Sequence, residues 1–299
     1  MGSSVFCSVG SRSCPDLARR ELPWLPSSRP RWTSSHARVS LWESRPRRKS
    51  ITCGQHEPTG FKERASPNEV RKEINRCYEL IRRVGRGVVY LGSSRMGPGH
   101  DHYSKVFDLS FQVAKLLNCT TWSGAGPGLM DAVTMGASDA GLPVAGLKIG
   151  KEAGEWTVSS FHPYLPAESY LTCRFFSARK HGLVDAAVRN RESDRTAVIA
   201  LPGGIGTLDE MFEIMALIQL ERIGSTLPVP FLLMNYDSFY SKLLDFLDDC
   251  VNWGTIAEGE VASLWKVCDN NSDALTFLSE FYNLPLDEEV VVRLQKSPK

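Results

Sequence analysis

Beyond residue 54 this chain has few cysteines and no cysteine pattern. The five that remain, Cys77, Cys119, Cys173, Cys250 and Cys268, include no pair at the short spacing of a zinc site. Several fall inside apolar runs, where a reduced thiol packs as a small hydrophobe. No apolar stretch approaches the ~18 residues of a membrane span, so no membrane partner is expected. Internal repeats and low-complexity tracts are missing after residue 60. The front of the chain is short of acids: residues 1–54 hold 10 Arg and Lys against 3 Asp and Glu, with 12 serines. It also lacks the continuous apolar core of about 7–15 residues that marks a secretory signal. An Arg-rich, Ser-rich, acid-poor segment has the profile of an organelle transit peptide. The other reading is a disordered basic arm.

Without that segment the balance of charge reverses, leaving 25 basic residues against 31 acidic ones. Such a surface does not draw in DNA or RNA, so no nucleic-acid partner is expected. Any anionic ligand has to be held by a local cluster.

What is present is an alternation of helical and strand patterns. Ser66-Pro67-Asn68-Glu69 gives a helix start with an N-cap serine, a proline at the first helical position and a glutamate at N3. That helix should run to about Val84, where Gly85 and Gly87 stop it. Strands are expected at Val88–Leu91, Thr120–Trp122, Pro143–Leu147, Thr196–Leu201, Val229–Met234 and Trp265–Cys268, with one more near Tyr170 in the irregular stretch Lys151–Thr172. Helices are expected at Tyr103–Leu117, Leu129–Ala140, Phe175–Val188, Met211–Leu220, Tyr240–Val251 and Ala274–Tyr282. Strands that alternate with helices of this length form a parallel sheet covered on both faces. The expected fold is therefore α/β, a doubly wound parallel sheet in three α/β/α layers. Residues 61–285 would form one domain, behind a transit peptide or arm over 1–60 and ahead of a flexible tail over 286–299. Ligands of such sheets bind at the carboxyl ends of the strands. Loops 92–99, 124–128 and 203–207 bring glycine or serine to those ends.

The loop from Pro202 to Glu210 carries the strongest signal. Strand, glycine turn and helix aim backbone N–H groups at an anion, usually phosphate. Gly203, Gly204 and Gly206 are expected to supply positive φ values and close backbone approach, and Thr207 a hydroxyl at the helix start or simply an N-cap. Asp209 complements the helix dipole. Glu210 is a carboxylate beside the phosphate position, the partner that a sugar would need. Gly124-x-Gly126-x-Gly128 is not a dinucleotide fingerprint, because its third glycine comes one residue early and the next strand ends in Lys148. It is either a close-approach loop for a mononucleotide or a packing turn. Ser93 is a phosphate or ribose contact or a turn residue. His100 and His102 have no third ligand at a clear spacing, so no metal is expected. Arg179, Lys180 and His181 follow the aromatic pair Phe175-Phe176; a solvated helix face is the plain reading of Lys180 and His181.

Pro202-Gly203-Gly204-x-Gly206-Thr207-x-x-Glu210 resembles the signature of the LONELY GUY family of cytokinin-nucleotide phosphoribohydrolases, whose members are often labelled lysine decarboxylase-like. Gly92-Ser93-Ser94 resembles the family's opening motif, Gly124–Met130 its second glycine loop, and Arg179-Lys180 its arginine-lysine pair. The resemblance covers roughly residues 85–282. It implies hydrolysis of the N-glycosidic bond of N6-modified adenosine monophosphates to free base and ribose 5-phosphate, without a cofactor. It implies catalytic roles for Glu210 and Arg179. It implies substrate contacts from Ser93, Gly124, Gly126, Gly128, Lys180, Gly203, Gly204, Gly206 and Thr207. It also implies a homodimer with the 175–190 and 208–221 helices near its interface. With the basic front it implies a plant member imported into plastids or another organelle, or a cytoplasmic one if the peptide does not function. The chain departs from the family at Ala125, where relatives carry glycine, and at Ser177-Ala178, where they carry histidine and glutamate. A non-catalytic carrier of a nucleotide or of molybdenum cofactor on the same fold is the alternative. Literal lysine decarboxylation fits poorly, since a pyridoxal enzyme needs a Schiff-base lysine and an acidic partner for the ring nitrogen.

Overall fold

Pro67 opens the first helix, α1 (Pro67–Val84), and Gly85, at φ 95°, ends it. Ser66 occupies the N-cap, but its side chain makes no capping bond. Glu69 reaches outward, to Lys72 at 2.8 Å and Arg174 at 3.4 Å. The computed structural model describes residues 66–150 and 162–286. The segment expected over 1–60, most of the 286–299 tail and the first part of the Lys151–Thr172 stretch lie outside the described residues.

The elements then alternate: β1 (Gly87–Leu91), α2 (Asp101–Leu117), β2 (Thr120–Ser123), α3 (Leu129–Asp139), β3 (Val144–Ile149), β4 (Tyr170–Cys173), α4 (Phe176–Ala187), β5 (Ala197–Ala200), α5 (Ile205–Gln219), β6 (Phe231–Met234), α6 (Ser241–Asn252), α7 (Glu260–Leu264), β7 (Lys266–Cys268) and α8 (Asn271–Tyr282). The short α7 has no counterpart in the sequence reading. The seven strands form one sheet in the order β4-β3-β2-β1-β5-β6-β7, and each neighbouring pair is parallel. From β1 the chain builds outward to β4, then returns to the other flank of β1 and builds outward to β7. The reversal falls between β1 and β5, and this is where a doubly wound sheet leaves a crevice at its carboxyl edge.

Strand periodicity divides the core in two. Val89, Leu91, Val198 and Ala200 face α1, α4, α5 and α6 through Leu80, Ile81, Leu183, Ile214 and Leu247. Val88, Tyr90, Ala197 and Ile199 face α2, α3 and α8 through Val106, Leu109, Val133, Leu275 and Leu278. The three-layer α/β/α expectation is met. Among the described residues no helix is long and apolar enough to cross a membrane.

One buried acid fixes a helix that matters below. Glu73 on α1 is 2% exposed. Its carboxylate accepts the backbone N–H groups of Arg174 at 3.0 Å and Phe175 at 2.8 Å. Phe175 is the N-cap position of α4 and offers no side-chain cap of its own, so a neighbouring helix satisfies these donors. Glu73→Ala is expected to lower the unfolding free energy by about 2–3 kcal/mol, because the buried Phe175 N–H and the part-buried Arg174 N–H lose their carboxylate acceptor. Urea denaturation measures this, and a loss below ~0.5 kcal/mol would count against the capping role.

Candidate active site

Three loops meet at the switch point, and one serine ties them together. Ser93, just past β1, donates its N–H to the Pro202 carbonyl at 3.1 Å and accepts the Leu129 N–H at 2.8 Å. Its Oγ accepts the Arg95 N–H at 3.1 Å. Gly128 sits under this clamp at φ +73°, and a Cβ there would overlap the Ser93 carbonyl oxygen. Only glycine meets both conditions.

The 203–206 turn is built differently from expectation. None of Gly203, Gly204 and Gly206 is among the glycines at positive φ. A Cβ at Gly203 would overlap the Thr207 side chain, whereas one at Gly204 or Gly206 meets no protein atom within 4 Å. The last two glycines therefore keep space open in front of the helix. Gly204 is the N-cap of α5 and provides no side-chain cap. The first intrahelical bond runs from Leu208 N–H to the Gly204 carbonyl at 3.0 Å. The N–H groups of Ile205, Gly206 and Thr207 are thus the unsatisfied donors of the helix start, at its positive end. Thr207 is the third helical residue and not the cap. Beneath the turn, the buried Tyr240 hydroxyl donates to the Leu201 carbonyl at 2.7 Å.

One turn further along α5, Glu210 meets Arg179 from α4. They are 7% and 4% exposed, and Arg179 Nη1 donates to Glu210 Oε1. Arg179 Nε donates to the Leu147 carbonyl within β3 at 2.8 Å, and the guanidinium lies 5.7 Å from the Phe176 ring centroid. Burial pushes the Glu210 carboxyl above its ordinary value; the Arg179 charge acts in the opposite sense and is the smaller effect. Gly124 leaves room for this arrangement, since a Cβ there would overlap Arg179 Nη2 and Met130 Sδ. The adjacent Ala125 is held at φ 49°, its N–H donating to Ser123 Oγ at 3.1 Å. Its methyl occupies the position that a side chain on Gly146 would need.

Ser93, Arg179, Gly204, Gly206, Thr207 and Glu210 line a cavity of about 600 Å³, with Met130, Ile149, Phe176 and Ile205 as its apolar side. The structure brings these expected residues together. Gly124, Gly126, Gly128, Gly203 and Lys180 do not line it. Lys180 turns aside to pair with Asp209 at 2.9 Å and Glu213 at 3.0 Å, which also gives Asp209 a partner besides the helix dipole. Phe176, Ile149, Ile205 and Arg95 were missed by the sequence reading. Phe176 stands at i−3 from Arg179, a spacing that puts both on one helix face. A recess of about 610 Å³ at the amino ends of the strands includes Arg86, Thr120 and Arg195, on the edge opposite to where such sheets bind ligands.

Among the described residues, no group of three or more His, Cys, Asp or Glu could hold a metal ion. His100 is the N-cap of α2, its ring accepting the His102 N–H at 3.1 Å. His102 Nε2 lies 2.8 Å from Asp237 Oδ2.

Breaking a buried ion pair leaves a stranded charge. Arg179→Met and Glu210→Leu are each expected to cost about 3–5 kcal/mol of stability. The double variant should cost clearly less than the two losses together. Denaturant titration of the four proteins tests this, and simple additivity would show that the two charges are not coupled.

Residues 130–278 match a family model described as possible lysine decarboxylase. Two cytokinin riboside 5'-monophosphate phosphoribohydrolases of Arabidopsis thaliana are each 30% identical to this chain, over 189 and 185 residues. These alignments span 60% and 62% of this chain and 76% and 78% of the relatives. A probable enzyme of the same description from Oryza sativa subsp. japonica is 46% identical over 66 residues, 22% of this chain and 25% of the relative. Among solved structures, the molybdenum cofactor carrier protein of Chlamydomonas reinhardtii matches with TM-score 0.41 at 16% identity, covering 66% of this chain and 99% of that one. Identity sustained over three quarters of the Arabidopsis proteins places the chain in their family: it belongs to the LONELY GUY family of cytokinin riboside 5'-monophosphate phosphoribohydrolases.

Proposed function

We propose that this protein hydrolyses the N-glycosidic bond of nucleoside 5'-monophosphates, N6-modified adenosine monophosphates among them, releasing free base and ribose 5-phosphate. The observation that carries this reading is the spacing on α5. Free N–H groups at residues 205–207 and the buried Glu210 carboxylate line one cavity, separated by about one helical turn, ~5.4 Å. A ribose with its 5'-carbon is of comparable length. With the phosphate on the helix start, the anomeric carbon lies beside Glu210. As the bond from that carbon to the base breaks, its electron pair leaves with the base and positive charge builds on the sugar. Ionised Glu210 stabilises that charge and orients the water whose oxygen bonds to the anomeric carbon; the proton that this water loses balances the one that the departing base takes up. Arg179 holds the carboxylate in place and favours its ionised form. Met130, Ile149, Phe176 and Ile205 give the base and any apolar N6 substituent a surface to lie against. Among the described residues no lysine lines the cavity, so none of them is a Schiff-base candidate for the decarboxylase label there.

The dimer and the destination of the chain belong to the same proposal. Outward-facing Ile205, Phe212 and Leu220 give α5 an exposed apolar face, which a second copy would cover. Residues 1–60 would direct the chain to a plastid or another organelle. Light scattering should give twice the chain mass at micromolar concentration, and a monomer there would remove the dimer.

Chromatography of the full chain with AMP, GMP, N6-isopentenyl-AMP and the matching ribosides tests the activity. Base should appear from a monophosphate and not from its riboside. Glu210→Gln should lose about 10²-fold or more in kcat with the fold intact by circular dichroism. Tight binding of a nucleotide without turnover would instead identify a carrier. The pH profile is a second check. The reactive Glu210 is ionised, and its folded-state pKa is raised. The rate should therefore rise with pH through an acid limb above the ordinary carboxylate value, and that limb should disappear in the residual activity of Glu210→Gln.

A further inference from the structure

The cations at the switch point are not equivalent. Arg179 is paired with Glu210, and Lys180 with Asp209 and Glu213. Arg95 also lines the cavity, is exposed, and makes no ion pair or side-chain hydrogen bond among the described residues. A ligand anion that took Arg179 or Lys180 would first have to displace an existing carboxylate. One that took Arg95 would displace only water.

The backbone behind Arg95 is fixed relative to the glycine turn. Its N–H is held by Ser93 Oγ at 3.1 Å. Ser93 is held in turn by the carbonyl of Pro202, the residue that opens that turn, at 3.1 Å. The next residue, Met96, packs against the core beneath α2 and α3. The arginine is therefore anchored at its root on both sides while its head group is free. Charge balance calls for such a group. A phosphate monoester carries about −1.5 to −2 near neutral pH, and a helix start supplies only about half a positive charge. About one further positive charge is needed, and the buried pair has none to give.

We propose that Arg95 supplies the countercharge to the ligand's 5'-phosphate, opposite the start of α5, and so sets the preference for nucleoside monophosphates over ribosides. This rests on the phosphoribohydrolase reading for the identity of the substrate, but not for the presence of a phosphate subsite. The probe is ribose 5-phosphate, titrated calorimetrically into the full chain, with unphosphorylated ribose as control. Arg95→Gln should weaken ribose 5-phosphate about 10- to 100-fold and flatten the salt dependence of binding, with Arg95→Lys intermediate. In steady state Arg95→Gln should act on the monophosphate more through KM than through kcat, and the gap between monophosphate and riboside should narrow. Equal affinity of wild type and Arg95→Gln for ribose 5-phosphate would overturn the proposal, as would failure of the wild type to bind it. A binding difference without base release from any nucleotide would leave Arg95 in its role and remove the hydrolase reading.

Discussion

Seven strands running the same way commit all their carboxyl ends to one edge of the sheet, and the change of winding direction between β1 and β5 opens that edge at its centre. The site depends on this constraint. The loop after β1, the turn after β5 and the start of α3 converge there because the sheet sends them nowhere else, and two backbone hydrogen bonds of Ser93 lock them together. The buried ion pair comes from helices laid on one face of the sheet, α4 and α5. Apolar packing seats both helices, and the Glu73 carboxylate caps the first of them.

The Arg179–Glu210 pair illustrates how much support a buried charge needs. Coulomb attraction alone seldom offsets the loss of water around two ions. Here the guanidinium has a second acceptor in the Leu147 carbonyl and an aromatic face in Phe176, and Gly124 is bare where its Nη2 passes. Glu73 contributes from a greater distance by holding the first residues of α4 in register. A site prepared in this way has its electrostatics fixed before any ligand arrives, and transition-state stabilisation requires that.

Much of the fold was legible because glycine, proline and periodicity agree along the chain. The strand ends, the order of elements and the three converging loops followed from them. The signal weakened where one residue type serves several purposes. Three glycines in 203–206 could mean positive φ or free space, and only the backbone reveals that Gly204 and Gly206 provide space. Neighbours in a helix point about 100° apart, so Arg179 turns inward while Lys180 turns to α5, a difference that adjacent letters do not display. Ser66 has the right type and position for a cap, yet its φ of −129° and ψ of 49° do not bring the hydroxyl onto the helix. Glu73 and Ile149 act through contacts with residues far away in sequence, and nothing local marks them.

Ala125 stands between Gly124 and Gly126 in the second glycine loop. It adopts a left-handed backbone that suits glycine, and its methyl fills the space above Gly146 on β3. Two positions on different elements thus share room for a single carbon. Either may carry it, but not both, so the freedom of one site to vary is set by what the other has already accepted. Substitution at this point has an order imposed on it. With alanine at 125 a side chain at 146 meets that methyl, so a change at 146 has first to pass through glycine at 125.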